Sequence, residues 1–199
     1  MIGGEQFRFA PVAHEYFLGD KRLISVTQAM NAAGLTDFSK IKPDVLEHAI
    51  QRGVAVHAAC HYIDECDLNL ATVSPEIEPY VRAWERFKAD TKLVLVEIEK
   101  PRYHATLGFA GTPDRVVNLY PHKGIIDLKT YDPGDAVGVQ LAGYSFLEFG
   151  PQPVYNAPKR WGLWLKDDGK YKMTEFTDRG DEAVFMACLT ICKFKMANK

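Results

Sequence analysis

The segment GIIDLKTY, residues 124–131, constrains the fold more than any other stretch of the chain. Its apolar run reads as a core strand, yet Asp127 and Lys129 interrupt it. A strand sends successive side chains to opposite faces, so Ile126 and Leu128 point one way and Asp127 and Lys129 the other. Opposite charges on one face of a central strand are costly unless they are paired, bound to a metal or put to use. Whatever packs on that face has to accommodate both.

The segments around it read as follows. FRFAPVAHEYFLGDKRLIS forms a hairpin of two alternating runs around Leu18-Gly19-Asp20. SVTQAMNAAGL is a short helix, capped by Ser25 or Thr27 and closed by Gly34. Pro43 opens a long helix with apolar residues at Val45, Leu46, Ala49, Ile50, Val54 and Ile63. A second helix starts at Ser74 as N-cap with Pro75 in its first turn, and carries Tyr80, Trp84 and Phe87 as its apolar stripe. KLVLVEIEKPRYH, GFAGTPDRVVNLY and GIIDLKTY are three β-segments, and DAVGVQLAGYSFLEF returns to helix. RWGLWLK and KYKMTEF are strands around the turn Asp167-Asp168-Gly169, and residues 178–199 form a final helix. This order predicts an α/β fold with a mixed central sheet flanked by helices.

The 199 residues, 47% of them hydrophobic, suffice for one domain with a sizeable core. The expected division is an N-terminal hairpin and short helix over 1–42 and the core over 43–199. A net charge of −2 argues against a protein that coats nucleic acid through bulk charge, though not against one that holds it in a local groove with metal ions. No apolar run has membrane-spanning length, and MIGGEQFRF lacks the pattern of a signal peptide. A cytoplasmic protein with no membrane partner is the expectation. Cys60, Cys66, Cys188 and Cys192 form no C-x-x-C pair, so free thiols and no iron–sulfur cluster are expected.

Metal-assisted cleavage of a phosphodiester needs carboxylates converging on a hard cation and a positive group near the phosphorus. Glu99, Asp114, Asp127 and Lys129 lie on three consecutive β-segments, and pairing of those segments would gather them at one sheet edge. Glu97 competes with Glu99, and the spacing to GFAGTPD favours Glu99. His57 and His61 form an H-x-x-x-H pair, but a zinc protease needs a glutamate after the first histidine and Ala58 stands there. His61 is therefore read as a surface residue or one facing a ligand. Each residue also has a plainer role. Asp127 and Lys129 make a structural ion pair, His57 a core histidine, Asp114 a turn cap after Pro113, and Gln140 and Tyr144 ordinary helix packing. Trp84, Trp161 and Trp164 read as core residues, and Arg52, Arg82, Arg86 and Lys88 as a solvated face, with a phosphate path as the alternative.

Taken together, GTPD, twelve residues and then DLK resemble the signature of the PD-(D/E)XK nuclease superfamily. QLAGY, with Gln140 and Tyr144 one turn apart, resembles the Q-x-x-x-Y motif of its RecB-like branch. RGVAVH, with Gly53 and His57, resembles that branch's G-x-x-x-H motif, and Glu99 stands where the family carries a metal-binding glutamate. The likeness runs from about residue 25 to Tyr144 and is nearest to phage-type exonucleases and the mitochondrial genome maintenance exonuclease. Asp127 replaces the more frequent glutamate.

The resemblance implies a restriction-endonuclease-like core. It implies that Asp114, Asp127 and the Leu128 carbonyl hold a first Mg²⁺ or Mn²⁺, with His57 and Glu99 completing a second metal position or its outer shell. Lys129 would activate the attacking water or steady the transition state. Gln140 and Tyr144 would brace the site and contact the DNA backbone, with Thr130 and Arg52 as further phosphate contacts. The implied activity is a metal-dependent DNA exonuclease leaving 5′-phosphates, in phage-type recombination or DNA processing. It would act on single- or double-stranded ends, beside a single-strand annealing or recombination protein. The alternatives are an endonuclease of the same fold and a non-catalytic DNA-binding recombination module. The N-terminal hairpin and the SVTQAM helix would form an arch or wedge beside the site.

Overall fold

The structure, a computed structural model, describes residues 5–36, 39, 41–153 and 157–198. The first residues of MIGGEQFRF, three positions within the 1–42 segment and the last residue of the final helical segment lie outside these. The N-terminal run yields three strands rather than two, β1 (Phe7–Ala10), β2 (Glu15–Leu18) and β3 (Lys21–Ser25), paired as an antiparallel meander. The expected hairpin is its β2–β3 half, and residues 11–14 supply a second turn. Helix α1 (Val26–Ala32) follows at once, because the Ser25 hydroxyl accepts from the Gln28 N–H at 3.0 Å while the Gln28 side chain returns to the Ser25 N–H. Ser25, not Thr27, is the cap, and Gly34 follows the helix end.

Helix α2 (Pro43–Asp64) starts at the proline, as expected. Helix α3 (Glu78–Thr91) starts later than its sequence suggests. The Ser74 carbonyl accepts from both Ile77 and Glu78, so a turn precedes the helix and Ile77 takes the cap position. Pro79, lacking an N–H, occupies the first turn that Pro75 was expected to fill.

Two of the expected strands are each broken in two. KLVLVEIEKPRYH gives β4 (Val94–Ile98) and β5 (Arg102–His104), and GFAGTPDRVVNLY gives β6 (Phe109–Gly111) and β7 (Arg115–Leu119). A proline sits in each gap, Pro101 and Pro113, where no ladder hydrogen bond can be donated. β5 pairs with β6, and β4 with β7, so the four are one long hairpin bent at 99–101 and 112–114. Its tip half joins the first sheet, ordered β1-β2-β3-β6-β5. Its base half joins the second, ordered β10-β9-β8-β7-β4, with β8 (His122–Lys129), β9 (Lys159–Leu165) and β10 (Tyr171–Glu175). The pairs β3–β6 and β8–β9 are parallel, so both sheets are mixed. With α4 (Ala136–Phe149) and α5 (Gly180–Ala197) the described residues contain five α-helices, an α/β architecture with two mixed sheets where one was expected.

The second sheet is covered on both faces. Val117, Ile126, Leu128, Trp161 and Leu163 pack with Val56, Cys60, Trp84 and Phe87 of α2 and α3. Ile125 packs on the other side with α1, α4 and α5, through Met30, Leu141, Tyr144, Phe185 and Leu189, and Ile24 and Phe109 of the first sheet join that cluster. Trp84 and Trp161 are core residues as expected, whereas Trp164 is only half-buried and has Lys166 and Lys172 near its ring. Among the described residues no helix is long and apolar enough to cross a membrane.

The β8–β9 pair approaches so closely at Gly124 that an added Cβ would lie 2.2 Å from the Lys159 carbonyl oxygen. At Gly53, within α2, an added Cβ would meet nothing within 4 Å. Urea unfolding should therefore show Gly53→Ala gaining about 0.5–1 kcal/mol from the helix preference for alanine. Gly124→Ala should lose stability, because β9 has to move.

Candidate active site

The bent hairpin brings its two corners together. The Glu99 N–H donates to the Asp114 carbonyl at 3.0 Å, and Glu99 itself adopts a left-handed φ of +45°. That conformation, with a register shift between Leu95 and Glu97, sends the two glutamates apart although simple alternation would align them. Glu97 pairs with Arg102 and Lys100. Glu99 faces α2, where His61 Nδ1 lies 3.2 Å from one carboxylate oxygen and Arg115 3.3 Å from the other.

At the second corner, the Asp114 carboxylate accepts the Leu128 N–H of β8 at 2.7 Å and lies 3.6 Å from His57 Nδ1. His57 Nε2 sits 3.0 Å from the Leu128 carbonyl oxygen, as its hydrogen-bond donor. One residue of β8 is thus gripped on both sides, by Asp114 at its N–H and by His57 at its carbonyl. The next residues along the strand turn the other way, as alternation requires. Asp127 is buried and its carboxylate lies 2.5 Å from the Lys129 ammonium. Lys129 donates to Gln140 of α4 at 3.2 Å, and Gln140 donates to the Tyr144 hydroxyl at 3.3 Å. The i, i+4 spacing on α4 produces this relay.

Asp127, Lys129, Gln140 and Tyr144 form one chain of contacts, and Asp114, His57 and Leu128 a second that meets it on β8. Glu99 joins through the Asp114 backbone and not through its carboxylate. Thr130 lies just past β8, half-buried. Arg52 does not join. It lies five residues before His57, about 140° around the helix, and its guanidinium sits 6.0 Å from the Tyr80 ring of α3. Tyr144 is 6% exposed and its ring abuts Gly111, where an added Cβ would lie 2.7 Å away, so it braces the corner rather than reaching outward to a strand. His61 is not a free surface residue, since it is held between Glu99 and Glu65, the latter at 3.3 Å.

Two features were not legible in the sequence. Tyr16 of β2 places its hydroxyl 2.9 Å from Thr112 Oγ1, tying the N-terminal meander to the corner that carries Asp114. Behind Glu99, Arg115 and Asp64 are fully buried and paired at 2.7 Å, with Trp84 and Lys88 also donating to Asp64 and Arg115 donating to the Asp114 carbonyl. The charged start of RVVNLY was the available signal for a buried arginine. Its partner, on another helix, left none.

Burial and neighbouring carboxylates set the electrostatics of the site. Burial pushes the Asp127 carboxyl above the usual carboxylate range and Asp114 adds to this, while Lys129 and His57 offset it in part. Burial alone would lower the Lys129 ammonium, but the carboxylates of Asp127 and Asp114, with Tyr131, raise it on balance. The Tyr144 hydroxyl is driven up by burial, then by Asp127 and Asp114. The donors gathered here suit a hard divalent cation: two aspartates, a backbone carbonyl and an imidazole, with the buried Asp127 Oδ2 lacking a well-formed hydrogen bond. Among the described residues no three His, Cys, Asp or Glu side chains converge tightly enough to hold an ion by themselves. Asp127 is drawn toward Lys129, and Asp114 toward Leu128 and His57.

No protein-family model matches the chain, and no curated protein matches it. The geometry of the site therefore carries its interpretation.

The Asp64–Arg115 pair anchors the Asp114 corner from behind. Asp64→Ala leaves a buried guanidinium without its carboxylate, and urea unfolding should show a loss of about 3–5 kcal/mol. Adding Arg115→Met should recover most of it.

Proposed function

We propose that this protein is a metal-dependent deoxyribonuclease of the PD-(D/E)XK type, an exonuclease of the RecB-like branch, built on a restriction-endonuclease-like core. The observation that carries this reading is the pair of grips on β8. Asp114 and His57 hold the backbone of Leu128, while Asp127 and Lys129 lie paired on either side of that residue along the strand, beside Gln140. The mixed second sheet with helices on both faces supports the finer fold assignment.

In this reading Asp114, Asp127 and the Leu128 carbonyl hold Mg²⁺ or Mn²⁺, with His57 in reach and Glu99 in an outer position. The ion, when bound, supplies Lewis-acid stabilisation of charge on the phosphate. Lys129 orients the attacking water and remains an ammonium, because the neighbouring carboxylates favour its charged form. Gln140 fixes the direction of that ammonium, and Tyr144 fixes Gln140. The imidazole of His57 holds the Leu128 carbonyl in place. In-line attack by water expels the 3′ oxygen and leaves a 5′-phosphate. DNA ends are the proposed substrate. The phage-type recombination setting and a single-strand annealing partner rest on the sequence resemblance alone.

End-labelled linear DNA and a covalently closed circle, incubated with Mg²⁺ or Mn²⁺, test the proposal. The wild type should shorten the linear DNA and leave the circle closed. Asp127→Asn and Lys129→Met, with unchanged circular dichroism, should each slow cleavage by about 10²-fold or more. A nicked circle would make the enzyme an endonuclease. DNA binding without any cleavage would make it a binding module.

A further inference from the structure

Trp164 of β9 is placed differently from the other two tryptophans. Trp84 and Trp161 are 0% and 2% exposed, in the core that the second sheet forms with α2 and α3. Trp161, Leu163 and Leu165 fill the core-facing positions of β9, and Trp164 points to the other face, half-buried. In the pairing register it stands opposite Lys129 of β8 and opposite Lys172 of β10, so the three side chains share the face that carries Asp127. Pro133 and Phe176 close over that face at Gly162, where an added Cβ would lie 3.3 and 3.0 Å from them. Trp164 lies two residues further along, at the end of the sheet where β8 also stops. The ammonium of Lys166 lies 5.2 Å from its ring centre and that of Lys172 6.0 Å. Among the described residues Lys166 has no carboxylate partner, and Lys172 has Asp132 in an exposed pair at 3.3 Å. Tyr131, two residues past Lys129, is 52% exposed, and its hydroxyl is close enough to act on the Lys129 ammonium.

A surface that sets aromatic rings among ammonium groups suits a single nucleic-acid strand, because each base offers a flat face to a ring and each phosphate a charge to a lysine. We propose that Tyr131 and Trp164 form a stacking track for one strand of DNA beside the candidate active site, with Lys166 and Lys172 on its phosphates. The proposal rests on the nuclease reading and narrows it, since it makes the strand at the site unpaired. A base reaches an aromatic face in this way only when it has left the duplex stack. The register sets the order of contacts. Lys129, which that reading places at the attacked phosphate, lies one strand spacing, about 4.8 Å, from the β9 position of Trp164, and Lys172 lies one spacing further. The track therefore starts at the scissile bond and runs across β9 toward β10. A phosphate exchanges with Asp132 on Lys172 at little cost, because an exposed ion pair contributes little.

Tryptophan-fluorescence titration of the chelator-treated full chain, in which no strand is cut, tests this. Trp164 is the reporter, because Trp84 and Trp161 are enclosed. The probes are an oligothymidylate, an abasic oligodeoxynucleotide of the same length and a blunt duplex. The oligothymidylate should quench the fluorescence and bind about 5-fold or more tighter than the abasic strand, the margin that stacking of one base supplies. The duplex should leave the fluorescence unquenched. Trp164→Ala and Tyr131→Ala, with unchanged circular dichroism, should each reduce the margin, and Trp164→Phe, which keeps a ring in place, should retain most of it. Lys166→Ala and Lys172→Ala should weaken both single strands alike, each lowering the salt dependence of binding by about 0.7 in the log–log slope. A wild type that binds the abasic strand as tightly as the oligothymidylate overturns the proposal, as does a margin that survives Trp164→Ala. If that protein still shortens end-labelled DNA, the track alone is wrong and the nuclease reading stands. A protein that binds neither strand and cuts no DNA overturns both.

Discussion

Everything in the candidate site depends on Asp114. Its carbonyl accepts from Glu99 and Arg115, which closes the two corners of the bent hairpin on each other. Its carboxylate accepts from Leu128, which fixes those corners to β8. The residue lies at the point where the chain passes from one sheet to the other, and Pro113 before it prevents the ladder from continuing. A backbone unable to pair with its own sheet is thereby free to point a carboxylate at the next strand. The same corner is held from the N-terminal side by Tyr16 through Thr112, from behind by Arg115 on Asp64, and from above by Tyr144 against Gly111.

The electrostatics follow from that arrangement. Asp127 is buried, has another carboxylate as a neighbour and a single ammonium within bonding distance. Burial first, and the neighbouring carboxylates after it, raise the pKa values of Asp127 and Tyr144, while those carboxylates raise that of Lys129 against the effect of burial. A buried ion pair is weak evidence of a stabilising role, since apolar replacements of similar volume are often neutral or stabilising. In the proposed reading a divalent cation would neutralise the two carboxylates and leave Lys129 free for the attacked phosphate. Gln140 accepts from the ammonium and so fixes its direction.

The parts of this site that could be read from the sequence are those set by local periodicity. Alternation along 124–131 separates Asp127 and Lys129 from Leu128, and helical spacing aligns Gln140 with Tyr144. The same reasoning finds α1, α2, α4 and α5 near their observed limits. It fails where distant segments decide the outcome. Pro101 and Pro113 were visible, but that they divide two strands between two sheets depends on β3 being available to pair with β6. Glu97 and Glu99 look equivalent until a left-handed residue turns one away. Arg52 looks like a phosphate ligand until the helix is seated on α3. His61 acquires its partners only when Glu99 folds over α2. The Asp64–Arg115 pair joins residues 51 positions apart, and no local pattern announces it.

Calorimetric titration of the chelator-treated protein with Mn²⁺ tests the central role of Asp114 most directly. Asn at this position still offers an oxygen to the Leu128 N–H, so the corner is kept while the charge is lost. The account predicts that the wild type binds Mn²⁺, that Asp114→Asn binds it at least ~10-fold more weakly, as expected for the loss of a charged oxygen ligand, and that Lys129→Met binds it undiminished. A wild type that takes up no Mn²⁺, or an Asp114→Asn variant that binds as tightly as the wild type, would contradict it.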